Sequence, residues 1–382
     1  MPENVTDRQC CHKCHKTVTG MRKLSKCARC HSITYCGKEC QVEDWPRHSQ
    51  YCIPVMIAEI PGKGLGLVAS KDFKRGQLIF TETAVISVHA PSGLVPLEEM
   101  MNQISNMSEE QKFRFYQQKP TGRVLRAQAE DAIRLNCLEE LDIFVTHGKQ
   151  SNANNQILMF TNSGLMNHSC APNASLGRPF SQEPDKEVNV RATKDIKKGE
   201  EVTYCVMKGM MTKSQMKTKL KTSFGFDCKC PVCSGEIPDQ DKIISEINRL
   251  VELPSPTGFV NPSSFHDPNS TLSLFSKRKK SEWRVQALKH ERAADLTKQL
   301  YVGHVQDTFS VLTRFATTAQ LSRDPVLLKK ALDLGKEWTK GLGLEVLSEA
   351  FKNLEKGVKD WSPEFQTKKD PGMYEIWCFY CG

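Results

Sequence analysis

The chain has 382 residues, 39% hydrophobic and 25% charged, with a formal net charge of +9. That length accommodates two or three domains with substantial cores, while no run approaches the roughly 18 apolar residues of a membrane span and the polar N-terminus reads as lacking a signal peptide. Sixteen cysteines without a secretory leader point to metal ligation in a reducing, intracellular compartment, cytoplasm or nucleus, rather than to disulfides.

The first predicted element is a Cys/His module, since eight of the cysteines fall in residues 10–52. Their spacing runs Cys11-x2-Cys14, Cys27-x2-Cys30, Cys36-x3-Cys40 and His48-x3-Cys52. Eight ligands make two tetrahedral zinc sites. So short a span cannot build a large apolar core, and metal must supply much of its folding free energy. Cys10 is an alternative to Cys11, but the x2 spacing favours Cys11. His12, His15 and His31 read as bystanders.

Strands are expected next, at Val55–Ile60, Gly66–Ala69, Leu78–Phe80 and Ala84–Val88. The turn Gly62-Lys63-Gly64-Leu65-Gly66 lies between the first two, where glycines let the backbone approach a ligand closely. Residues 96–147 turn helical, with Leu97, Met100, Met101 and Ile104 forming an apolar stripe. Strand-like sequence returns from about 157 to 206, and a basic helix follows at 212–223. Pro254–Ser273 reads as a long loop. Helices are then expected at 282–301, 305–322, 325–340 and 344–359, in pairs that resemble tetratricopeptide-type stacks.

Two basic patches, Lys277-Arg278-Lys279-Lys280 and Lys213 with Lys217, Lys219 and Lys221, carry no interleaved aromatic residues. They read first as solvated stretches, which together with the modest net charge argues against nucleic-acid binding. Cys378-x2-Cys381 has no partner pair nearby.

The most informative stretch is Asn167-His168-Ser169-Cys170, followed 58 residues later by Cys228-x-Cys230-x2-Cys233. The triplet offers a metal three thiolates, and a closed tetrahedral zinc site needs four ligands. Cys170 is the natural fourth. Residues Asn167–Asn173 resemble the cofactor motif of SET-domain methyltransferases, and the triplet resembles their post-SET zinc hook. The N-terminal ligand order, with Tyr35 before Cys36 and Trp45-x2-His48, resembles a MYND finger. Arg75-Gly76-Gln77-Leu78-Ile79 and the return Ala192–Thr203 complete a match to the SET and MYND family over roughly residues 11–235, with the finger ahead of the SET domain.

The resemblance implies an α+β architecture. It consists of a MYND finger at 11–52, a β-rich SET domain at 55–223 with a helical insert at 96–147, a zinc-stapled hook at 224–235 and an all-helical C-terminal domain at 240–382. It implies interleaved wiring of the finger, with Cys11, Cys14, Cys36 and Cys40 on one ion and Cys27, Cys30, His48 and Cys52 on the other. With the hook that makes three zinc ions. Lys63, Gly64, Leu65 and Gly66 would lie along S-adenosylmethionine. Asn167 and His168 would contact its ammonium end and adenine, and Phe226 would stack near the adenine.

The same resemblance exposes two departures. The family's principal tyrosine falls on Val206, and a second, two residues before Phe226, falls on Phe224. Alternation along a strand would put Tyr204 on the same face as Val206, making Tyr204 the candidate to keep one hydroxyl near the reacting amine. Two readings follow. One is a protein-lysine methyltransferase, weakened by these losses, acting on a protein substrate with a target lysine. The other is an inactive scaffold or transcriptional co-regulator. MYND fingers are protein-interaction modules, often for Pro-containing peptides.

Overall fold

A computed structural model describes residues 10–16, 24–49, 52–91, 93–118, 126–151, 155–177, 186–207, 209–236, 240–252, 279–300 and 305–340. The expected loop at 254–273, the helix at 344–359 and Cys378-x2-Cys381 lie outside them, as do Lys277 and Arg278 of one basic patch. Among the described residues, no helix is long and apolar enough to cross a membrane. The chain divides into two compact units. One comprises residues 1–167 and 176–203, the other residues 168–175 and 204–382.

The first unit begins with the Cys-rich module. Strands β1 (Ser25–Lys26) and β2 (Thr34–Tyr35) pair antiparallel, and helix α1 (Lys38–His48) follows. Its interior consists of Cys11, Cys27, Cys30, Cys52 and Tyr35. The Tyr35 hydroxyl donates to buried Asp44 at 2.8 Å, and Arg47 bonds the other carboxylate oxygen at 2.8 Å. An interior made mostly of thiols has little apolar surface to bury, so metal has to carry its stability.

Strands β3 (Val55–Ile60) and β4 (Gly64–Ala69) form a hairpin in which Ile60 faces Gly64. Gly62 and Gly64 in the turn have φ of 73° and 81°, a region open chiefly to glycine. Strand β5 (Leu78–Thr83) pairs antiparallel with β11 (Glu187–Ala192), and β4 pairs with β12 (Glu201–Tyr204). Strands β6 (Ile86–His89), β7 (Lys149–Ser151) and β8 (Gln156–Met159) make a separate sheet in the order β6-β8-β7. Two short strands, β9 (Asn167–His168) and β10 (Ala174–Gly177), lie where the chain passes from one unit to the other and back.

An internal repeat holds this unit together. Lys71-Asp72-Phe73-Lys74-Arg75-Gly76 and Lys194-Asp195-Ile196-Lys197-Lys198-Gly199 are near copies, and they clasp each other reciprocally. Phe73 and Ile196 bridge, Asp72 accepts the Lys198 backbone N–H at 2.9 Å, and Asp195 accepts the Arg75 backbone N–H at 2.9 Å. The clasp lies just ahead of β5 and β12 and sets both strands from the same local chemistry.

The insert contains helices α2 (Leu97–Ser105), α3 (Glu109–Tyr116), α4 (Arg126–Arg134) and α5 (Leu138–His147). Ser108 and Gln111 close a capping box at the start of α3. Leu97, Met100 and Ile104 are buried with Phe115, Leu141 and Phe144, against Ile86, Val88 and Met159 of the β6-β8 sheet. Met101 is only partly buried, at the edge of the stripe.

In the second unit, α6 (Lys213–Phe224) starts at a Thr212–Gln215 capping box and ends at Gly225, φ 73°. Thr212 therefore caps the basic helix rather than opening it. Helix α7 (Pro231–Ser234) lies inside the Cys triplet, and α8 (Asp241–Val251) follows. Three longer helices run over Lys280–Thr297, Val305–Ser322 and Pro325–Lys340. Together with α8 they bury Ile247, Ala287, Phe309, Phe315, Leu328 and Ala331 in one apolar core.

Candidate metal centres and cofactor-motif residues

Four thiolates at about 2.3 Å from a tetrahedral zinc ion lie roughly 3.8 Å from one another. Three groups approach that spacing. The ligand atoms of Cys11, Cys14, Cys36 and Cys40 all lie within 4.8 Å of one another, as do those of Cys27, Cys30, His48 and Cys52, and those of Cys170, Cys228, Cys230 and Cys233. Individual separations are 3.7 Å for Cys14–Cys36, 3.5 Å for Cys36–Cys40, 3.7 Å for Cys27–Cys52, 3.6 Å for Cys170–Cys233 and 4.0 Å for Cys170–Cys228. Nε2 of His48 faces Cys30 Sγ at 3.5 Å. Donor type, number and spacing suit zinc in all three clusters. Cys10 stands outside them.

The hook cluster has its own apolar wall. Cys170, Cys230 and Cys233 are buried with Met216 and Leu220 of α6, and Val206, Met207, Met211, Phe224 and Val232 pack against them. Cys205 belongs to the same wall, and burial pushes its thiol up to about 11. Val206 and Phe224 are therefore apolar side chains packed against this thiol cluster.

His168 connects to that cluster through its ring. Nδ1 accepts the Val206 backbone N–H at 3.2 Å, and Nε2 lies 3.3 Å from Cys170 Sγ. An imidazole whose Nδ1 accepts must carry its proton on Nε2, so Nε2–H donates to the sulfur. The ring also stands 6.0 Å from that of half-exposed Phe226, which is 6.4 Å from Phe224. Tyr204 is buried, and its carbonyl accepts the Ser169 N–H at 2.9 Å. Strand β12 ends at Tyr204, so Val206 lies beyond the ladder on which the expected alternation was based.

In the first unit, the turn and the Asn motif converge. Asn167 Nδ2 donates to the Leu65 carbonyl at 3.2 Å and to Glu201 Oε1 at 2.9 Å, across 102 and 34 residues of sequence. Lys63 Nζ donates to Glu201 Oε2 at 2.6 Å. A Cβ on Gly66 would stand 2.7 Å from Asn167 Nδ2, 2.7 Å from Ile60 Cγ1 and 3.3 Å from Glu201 Oε1. Gly66 is thus required for the close approach of Asn167. Lys63, Gly64, Leu65, Gly66 and Asn167 are brought together here, while His168, Tyr204, Val206, Phe224 and Phe226 belong to the second unit.

Sequence reasoning did not single out two acidic residues. Glu201 is one, although the Gly199-Glu200-Glu201 segment was in view. Buried Glu82 is the other. It accepts the backbone N–H groups of Asn162 and Ser163 at 2.6 and 2.7 Å and so pins the segment leading to Asn167. Burial pushes the Glu82 carboxyl up, against the pull of those donors.

The SET domain family model matches residues 64–205, and the MYND finger model matches residues 11–52. Histone-lysine N-methyltransferase SMYD3 of Homo sapiens is 26% identical over 249 residues, covering 61% of this chain and 54% of that protein. N-lysine methyltransferase SMYD2 of Homo sapiens is 26% identical over 257 residues, with 63% and 54% covered. N-lysine methyltransferase SMYD2-B of Xenopus laevis is 25% identical over 265 residues, with 66% and 57% covered. The matched stretch thus spans little more than half the length of these relatives.

Proposed function

From the premise that this is a SET and MYND domain protein, its finger ahead of its SET domain, we propose that it is an S-adenosylmethionine-dependent protein-lysine methyltransferase. The observation that carries the proposal is the convergence of Asn167 on the Leu65 carbonyl over Gly66. Residues so far apart in sequence meet at a turn where Gly66 has no room for a side-chain carbon.

When bound, S-adenosylmethionine supplies an electrophilic methyl group on a sulfonium centre. Lys63, Gly64, Leu65, Gly66 and Asn167 are the residues to hold it, offering backbone, a lysine paired to Glu201 and an amide at one turn. His168 and Phe226 keep the roles that the sequence resemblance gives them. The three thiol-rich clusters would hold three zinc ions. The hook ion would fix Cys170, and through it the His168 ring, without touching substrate. Orientation of the acceptor amine and exclusion of water are what such a protein contributes to a methyl displacement.

The acceptor side is depleted. Val206 and Phe224 present no hydroxyl, which favours a second reading, a scaffold whose finger and helical tail make the functional contacts. Val42 and Trp45 are exposed on α1, which supports the finger as a protein-interaction surface, with Pro-containing peptides as the ligand class. Calorimetric titration with S-adenosylmethionine, then methyl transfer to a protein array by the parent and by Tyr204→Phe, separates the readings. Cofactor binding with transfer that falls in Tyr204→Phe supports the enzyme; absence of binding sinks it.

A further inference from the structure

We propose that Glu201 is a positioning residue that sets which atom of Asn167 faces the cofactor. The proposal rests on the cofactor-binding reading above and goes beyond it by assigning a charge-bearing partner to the motif asparagine. An asparagine amide can present either its oxygen or its NH2 group. Here Nδ2 meets two acceptors at once, the Glu201 carboxylate at 2.9 Å and the Leu65 carbonyl at 3.2 Å. Only an NH2 group satisfies both, because an oxygen in that place would face two oxygens. The amide therefore has one orientation, with Oδ1 on the opposite side as an acceptor.

An acceptor in a fixed place suits a cationic ammonium group, such as that of the cofactor's amino-acid end. Glu201 also matters for charge. Its second oxygen accepts from Lys63 Nζ at 2.6 Å, and the Lys63 and Glu201 side chains are only 31% and 17% exposed. The pairing neutralises a cation that would otherwise repel an incoming ammonium in a partly screened environment. One carboxylate thus orients the amide and balances the lysine.

The isosteric change Glu201→Gln tests this. Its carboxamide loses the Lys63 ion pair and no longer demands an NH2 group from Asn167. Calorimetric Kd values are compared for S-adenosylhomocysteine, which carries the ammonium, and for 5′-methylthioadenosine, which lacks the amino-acid end. Glu201→Gln is expected to weaken the first about 10-fold and the second less than about 2-fold, with bound zinc unchanged, the order expected for losing one charge-assisted contact. In an Asn167→Ala background the same change is expected to add clearly less than it does in the parent, because the amide-orienting part of its effect acts through Asn167 and only the charge on Lys63 remains. Glu201→Asp, whose carboxylate is drawn back by one methylene, is expected to fall in the same direction. Equal weakening of both ligands, or full additivity with Asn167→Ala, overturns the assignment of Glu201 alone. A parent protein that binds neither ligand overturns the cofactor reading and Glu201 with it.

Discussion

The backbone N–H of Val206 donates to Nδ1 of His168 at 3.2 Å. Val206, onto which the sequence resemblance would map a principal tyrosine, is therefore held by its backbone to His168, whatever its side chain. Restoring the hydroxyls need not disturb that bond. Val206→Tyr with Phe224→Tyr is expected to raise methyl transfer about 100-fold, the scale of one preorganised polar group at a reacting centre. Cofactor affinity should stay within about 2-fold. Radiolabelled transfer to a protein array measures the first and calorimetry the second. A parent as active as the double variant would show that Val206 and Phe224 cost nothing.

The same imidazole carries its proton on Nε2, 3.3 Å from Cys170 Sγ. With zinc bound, a ring N–H donated to Cys170 would hold that thiolate in place as a ligand. Outer-shell partners of this kind commonly account for 10–100-fold in metal affinity. His168→Ala is accordingly expected to release one of three zinc equivalents about 10–100-fold more readily to a chromophoric chelator, leaving the finger's two in place. Release of all three together would mean that the substitution had unfolded more than the hook.

How much of this was legible in the chain follows from the distance over which each contact acts. The finger's eight ligands fall in pairs at spacings of two and three residues, so the pairs are local chemistry written in the sequence, whereas their interleaved grouping was an implication of the resemblance to a MYND finger. Cys170 was legible for another reason, the unmet valence of a three-thiolate motif. The bonds from Glu201 to Lys63 and to Asn167 span 138 and 34 residues, and no periodicity announces them. The reciprocal clasp of Asp72 with Lys198 and Asp195 with Arg75 sat in plain view as two similar hexapeptides, but similarity alone does not say that two turns pair. Strand alternation does not carry from Tyr204 to Val206, because β12 ends at Tyr204. A period of two holds only while the ladder lasts.

Gly66 gives a sharper prediction than any charged residue of the cradle. An added Cβ would meet Asn167 Nδ2 and Ile60 Cγ1, each at 2.7 Å, so one of them must move. Gly66→Ala is expected to weaken cofactor binding about 10-fold or more, and overpacking of this kind typically costs about 1–3 kcal/mol of stability. Gly62, whose added Cβ would meet nothing within 4 Å, is the control for backbone strain, since its φ is 73°. Gly62→Ala should lower the melting temperature with a much smaller effect on Kd. Equal losses of affinity in the two variants would remove the steric argument for Gly66.

His290 is buried among α8 and the two helices Lys280–Thr297 and Val305–Ser322. Its Nε2 lies 2.9 Å from Gln286 Nε2, and its Nδ1 lies 3.2 Å from the Arg314 carbonyl and 3.0 Å from Thr318 Oγ1. Gln286 Nε2 is itself a donor, so the histidine Nε2 must accept and Nδ1–H must donate, which is the neutral ring. A second proton would set N–H against N–H. Burial lowers the pKa to about 4 from an ordinary value near 6.5, against the pull of the hydrogen bond to the Arg314 carbonyl. Between those values the unfolded chain binds the proton and the folded chain does not, so stability is full above about pH 6.5 and falls as the pH drops toward 4. The span corresponds to about 3 kcal/mol at most, at 1.36 kcal/mol per unit. In His290→Gln, a side-chain amide can donate to Arg314 and accept from Gln286 without titrating, so the acid limb of a urea-unfolding profile should flatten. An unchanged acid limb would place the titrating group elsewhere in the molecule.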